Sequence, residues 1–92
     1  MDILHRDDGK KGSFYIEVDG SVEGEMTYVW AGSNKIIIDH TEVSDKLKGK
    51  NAGRQLLHSA VEFAREKSIK ILPLCPFANA MFKKIPEYQD VL

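Results

Sequence analysis

From Ser13 the chain alternates, with Phe14, Ile16 and Val18 on one parity and Tyr15 and Glu17 on the other. That is the period of a half-buried strand. Asp19-Gly20 follows, a pair suited to a two-residue hairpin because both turn positions take positive φ. Val22 to Trp30 then reads as a second strand. Met26, Tyr28 and Trp30 share one face, and Glu23, Glu25 and Thr27 share the other. Ala31-Gly32-Ser33-Asn34 makes the next turn. Lys35 to Val43 is a third strand carrying Ile36-Ile37-Ile38. Such a β-branched run predicts burial on both faces and a central place in the sheet. Residues 1–12, the most polar stretch, read as a short strand plus a turn.

The pattern changes after a polar stretch from Ser44 to Asn51. Leu56, Leu57, Ala60, Val61 and Ala64 fall at helical spacing, which predicts a long helix over about 51–67. Ile69 to Leu74 is a short aliphatic strand, with Pro73 marking its end or an edge. Pro76 opens a second, short helix over about 77–84, with Ala78, Met81 and Phe82 as its apolar face. Glu87 to Leu92 reads as a last short strand. The predicted class is α+β: a mostly antiparallel sheet, a βαβ crossover and two helices. A right-handed crossover makes the strands on either side of the long helix parallel.

Composition narrows the class. A chain of 92 residues supports one domain, taken as 1–92, with a thin core. A formal charge of -1, from 13 Lys and Arg against 14 Asp and Glu, argues against a dedicated nucleic-acid binder. A double-stranded RNA-binding fold also places its first helix before the strands, and here the long helix follows them. Apolar runs are far shorter than the ~20 residues a bilayer requires, and the charged start carries no secretory pattern. The lone Cys75 excludes a disulfide framework, and three His without ligand spacing offer no metal site. A reduced, cytoplasmic protein is expected.

The chemistry concentrates in Lys48-Gly49-Lys50-Asn51-Ala52-Gly53-Arg54. This segment joins a strand to a helix start, where unpaired N–H groups and the helix dipole attract anions. Gly49 and Gly53 let a phosphate approach the backbone, Asn51 tolerates a left-handed conformation, and Lys48, Lys50 and Arg54 add positive charge. The competing reading is a plain basic connection. The segment lacks the Gly-Lys-Ser/Thr ending of a P-loop and the spacing of a dinucleotide fingerprint.

Strand, loop and helix together resemble motif A of the GNAT N-acetyltransferases, Arg/Gln-x-x-Gly-x-Gly/Ala, which cradles the pyrophosphate of acetyl-CoA. More closely, the chain resembles the small single-domain GNAT-like proteins. That match is carried by His40-Thr41-Glu42-Val43, Pro73-Leu74-Cys75-Pro76-Phe77-Ala78 and Pro86-Glu87-Tyr88-Gln89-Asp90-Val91, and covers residues 13–92. Lys48 stands where the motif has Arg/Gln, and Asn51 where it has its first Gly. The resemblance implies a minimal GNAT fold, acetyl-CoA as cosubstrate, pyrophosphate held from Lys48 to Arg54, and pantetheine running beside the Val43 main chain.

Acetyl transfer to an amine needs a neutral amine, a donor to the thioester carbonyl and a proton for the leaving thiolate. Larger GNAT enzymes carry Asn-x-x-Ala-x-x-x-Tyr on the helix after the fourth strand, the Tyr often serving as acid. Here Cys75, Ala78 and Phe82 fall at those positions, so that hydroxyl is missing; Tyr88 is a nearby substitute. Cys75 precedes a helix start, where the dipole favours a thiolate, and the resemblance places it beside the thioester. It would act as covalent acceptor or proton donor; the alternative is a small apolar filler. His40 is the general-base candidate. By simple alternation it shares a face with Ile36, Ile38 and Glu42, while Asp39 and Thr41 point away. The alternative for His40 is a structural hydrogen bond at a strand end. His5 and His58 look incidental, and Tyr28 and Trp30 read as core.

Three functional readings follow. The first is an N-acetyltransferase acting on an amine, with protein and peptide lysines among the candidates. The second is a non-catalytic acyl-CoA-binding or protein-interaction module, favoured by Phe82 and Asn51. The third is a scaffold without a CoA site.

Overall fold

The computed structural model describes residues 1–92. Five strands form one sheet in sequence order: β1 (Leu4–Asp7), β2 (Lys11–Val18), β3 (Ser21–Trp30), β4 (Lys35–Val43) and β5 (Lys70–Pro73). All neighbours are antiparallel except β4 and β5, which run parallel around α1 (Ala52–Lys67). A second helix, α2 (Pro76–Lys84), follows β5. The expected α+β arrangement, including the βαβ crossover, is therefore present.

Local chemistry explains the elements. Asp19 and Gly20 take φ of 51° and 84°, as the hairpin between β2 and β3 requires. Phe14, Ile16, Met26 and Tyr28 face α1 and are buried. The helix answers with Leu56, Leu57, Ala60, Val61 and Ala64, all fully buried in one continuous core. Truncating either leucine to alanine would cost roughly 2–5 kcal/mol. No helix is long and apolar enough to cross a membrane.

Three expectations about the sheet and tail are corrected. Ile37 is only half-buried while Ile36 and Ile38 are fully covered, because helical material packs on one face of β4 alone. The tail is a 3-10 helix (Pro86–Val91), not a strand. Tyr88 and Val91, three positions apart, both turn inward, and Arg65 of α1 clamps the tail through the Asp90 carboxylate and the Glu87 carbonyl.

The third correction concerns β4. Thr27 of β3 pairs with His40, but its neighbour Tyr28 pairs with Ile38. Asp39 is thus a surplus residue, a β-bulge. The Thr27 hydroxyl donates to the Asp39 carboxylate at 2.6 Å and pins it there. Beyond a bulge the two faces exchange. Thr41 therefore pairs with the buried Met26 and Val43 with Gly24, both on the helix-covered face. His40 joins Thr27 on the open face.

Candidate functional site

Pairing between β4 and β5 stops at Ile38 and Pro73. Past that point the Leu74 and Cys75 amides both donate to the Ile38 carbonyl, while β4 continues to Val43. The edge of β4 from Asp39 to Val43 has no β5 partner. A cleft of about 420 Å³ opens here, lined by Thr41, Val43 and Leu47, by Lys48, Gly49, Asn51, Ala52 and Gly53 of the loop, and by Phe77.

The loop ends at the N-terminus of α1. Asn51 caps the helix with φ 56° and ψ 34°, the left-handed conformation expected of it. No side chain caps the helix, and its first turn holds no acidic residue. The Lys48 and Lys50 amides are spent on the Asp45 and Leu47 carbonyls, and the Gln55 amide on Asn51. The amides of Gly49, Asn51, Ala52, Gly53 and Arg54 find no internal carbonyl. The open donors are thus a narrower set than the whole Lys48–Arg54 run. Lys48, Lys50 and Arg54 are exposed and form no ion pair. The helix dipole, the open amides and Lys48 meet at this cleft, where an anion would be stabilised.

The two glycines have different duties. Gly49 sits at φ 78° with open space around it, so it serves the turn. A Cβ on Gly53 would stand 2.5 Å from the Phe77 ring. Gly53 lets α2 close against α1, a role that spacing alone did not reveal.

Cys75, 4% exposed, caps α2. Its thiol donates to Thr41 Oγ1 at 3.3 Å, so the hydroxyl expected to point away is the one it meets. His40 lies on the opposite face of β4, with Nε2 3.7 Å from the Glu42 carboxylate and both side chains largely in water. The structure therefore brings Cys75, Thr41, Val43 and the loop to one side and leaves His40 and Glu42 on the other. Phe82 is core. The Tyr88 hydroxyl pairs with His58 Nδ1 at 2.8 Å, while the hydrogen bond of Cys75 goes to Thr41, so His58 has a partner of its own and is not incidental.

Neither is His5. At the β1 edge its ring stacks on Phe14 at 4.2 Å, and its Nε2 lies 2.7 Å from the Tyr28 hydroxyl. Tyr28 in turn donates to the Asp7 carboxylate, which also accepts from the Trp30 indole at 2.8 Å. With its proton committed to Asp7, Tyr28 accepts from His5, which fixes the Nε2–H tautomer. Burial lowers the His5 pKa, with Asp7 opposing and Lys67 adding to the shift. Burial raises the Asp7 pKa, but bonds from Tyr28, the Gly9 amide and Trp30 outweigh it and leave it lowered. Burial and the Asp7 bond push the Tyr28 phenol up.

Comparison with known proteins agrees with this geometry. A family model described as GCN5-related N-acetyl-transferase matches residues 13–91. Protein NATD1 of Danio rerio is 26% identical over 83 residues, spanning 89% of this chain and 76% of that one. An NMR structure of a GCN5-like protein from Staphylococcus aureus is 39% identical, has a TM-score of 0.72, and covers 96% of this chain and 85% of its own. A GNAT family acetyltransferase from Elizabethkingia anophelis, solved with acetyl-CoA bound, shares the fold at a TM-score of 0.59 and 17% identity, over 70% of this chain and 42% of that one. With the uncapped helix, the splayed strands and a family match that spans nearly all of its length, the chain belongs to the GCN5-related N-acetyltransferases.

Proposed function

We propose that this protein is an acetyl-CoA-dependent N-acetyltransferase whose acceptor is an amine, with a protein or peptide lysine the form that best suits it. The observation that carries the reading is the N-terminus of α1. Five amides without internal partners and three unpaired cations lie on the loop and first turn, no acidic residue stands in that turn, and the adjoining cleft is walled by Thr41, the partner of Cys75. The pyrophosphate of acetyl-CoA would take those donors, and the pantetheine amides would use the unpaired edge of β4 beside Val43. The Elizabethkingia relative holds acetyl-CoA on the same fold.

The two faces of β4 suggest a division of labour. Cys75 stands on the thioester side, either as the thiol that protonates the leaving CoA sulfur or as the sulfur that takes the acetyl group. His40 stands on the open side, where an amine would approach and must lose a proton. Asp39 and Glu42 stand on that side, with Glu25 already paired to Arg6, and the two remaining carboxylates favour a cationic acceptor. An open sheet face encloses little of a small molecule and suits an extended peptide better.

The test is calorimetry with CoA, paired with intact-protein mass after incubation with acetyl-CoA, for the native chain and Cys75→Ala. Binding plus an adduct lost in the variant supports acyl transfer through Cys75. Binding without an adduct, followed by turnover of an amine peptide that falls in His40→Ala, supports direct transfer. Absence of CoA binding refutes the reading. Binding with neither adduct nor turnover selects the second reading, a non-catalytic acyl-CoA module, which the buried Phe82 and the engaged Tyr88 favour.

A further inference from the structure

Cys75 has one side-chain partner, the Thr41 hydroxyl, reached from 34 positions away. Thr41 comes within reach because Asp39 is surplus in β4; without the bulge, alternation would place His40 on that face. The bulge is itself secured by the Thr27–Asp39 hydrogen bond. Thr41 also lines the cleft that contains the open amides of the loop, so a ligand is indicated at this point by features independent of the cysteine.

A hydroxyl has a property that few side chains share. It accepts from a thiol S–H and, after rotating, donates to a thiolate. Cys75 is nearly out of water, so an ionised sulfur there needs a donor. No charged side chain bonds to it. His40 is on the other face of β4, Lys48 faces the cleft from the loop, Lys70 begins β5, and the charges of α2 wait until Lys83 and Lys84.

We propose that Thr41 is the positioning residue of Cys75, directing its thiol at the cleft and serving as hydrogen-bond donor to the sulfur when it ionises. Its bearing on acetyl transfer rests on the functional reading above; its effect on the thiol does not. The bulge thus selects which side chain of β4 governs the cysteine.

The experiment compares the native chain with Thr41→Val, which keeps shape and removes the hydroxyl, and Thr41→Ser, which keeps the hydroxyl. Iodoacetamide alkylation of Cys75 is followed by intact mass from neutral to alkaline pH, with CoA affinity by calorimetry and a melting curve for each protein. Alkylation joins the sulfur to the acetamide carbon and releases iodide, so its rate reports thiolate. The expected result is a rate–pH midpoint displaced upward by about one unit in Thr41→Val, hence roughly tenfold slower alkylation at neutral pH. Thr41→Ser should lie near the native curve. Superimposed profiles for all three overturn the proposal, as does a Ser variant that behaves like Val. If Val fails to fold, the carbon-13 shift of Cys75 Cβ is titrated in the native and Thr41→Ala proteins, and equal midpoints overturn it. A displaced midpoint in a protein that binds no CoA would uphold Thr41 while refuting the acetyltransferase reading.

Discussion

The two ends of the sheet treat polar groups in opposite ways. At the β1 edge, His5, Tyr28, Asp7 and Trp30 consume one another's donors and acceptors in a closed chain. At the β4–β5 end, five loop amides and a strand edge have nothing to bond with inside the protein. Unmade hydrogen bonds are costly when buried, and here they lie around an open cleft. The first end is complete as folded; the second leaves its donors to solvent or to a ligand. Stability and binding should therefore be separable by mutation.

The largest effect is expected from Asp7→Ala, which leaves the Tyr28 hydroxyl and the Trp30 indole without their acceptor. A loss of about 2 kcal/mol should appear in denaturant unfolding, with CoA affinity unchanged. A matching fall in affinity would mean that the two ends are coupled.

A smaller effect sharpens the same contrast through pH. His5 has a lowered pKa when folded, so the unfolded chain binds the extra proton first. Stability should decline as pH drops below the ordinary histidine value of 6.5. Asp7, Asp8 and Asp90 also have lowered values. Their contribution is present above the usual carboxylate range and is lost as pH falls through the folded values. His5→Phe, which keeps the stack on Phe14, should flatten the curve near pH 6 and leave the acid limb. An unchanged slope near pH 6 in denaturant midpoints would remove His5 from the account.

The smallest effect on stability should come from the other end. Arg54→Gln removes an exposed, unpaired cation, so unfolding should shift by less than about 0.5 kcal/mol. CoA affinity should fall about fivefold at low salt, and the deficit should shrink as salt is added. A salt-independent deficit would assign Arg54 a packing role.

Much of the fold was legible because its determinants are near neighbours. Asp19-Gly20 needs only its own two φ angles, and the α1 stripe from Leu56 to Ala64 needs only helical spacing. The loop geometry ahead of α1 was legible for the same reason, down to the left-handed Asn51. The rest depends on partners that spacing cannot name. Asp39 is surplus only relative to β3, so alternation placed His40 on the covered face and dismissed Thr41. Asp7 looks like one more charge in a polar stretch, yet its partners lie 21 and 23 positions away. Gly53 was noticed as a glycine, but its reason is the Phe77 ring.

The surplus Asp39 has a genetic consequence. Loss of its single codon would leave β4 in frame as a regular ladder, with Ile38 still opposite Tyr28, His40 opposite Thr27 and Thr41 opposite Met26. The side chains beyond it would keep their faces, and only the extra carboxylate and its bond to Thr27 would go. This one triplet is therefore where the coding sequence of the strand can shorten without moving the hydroxyl away from the sulfur.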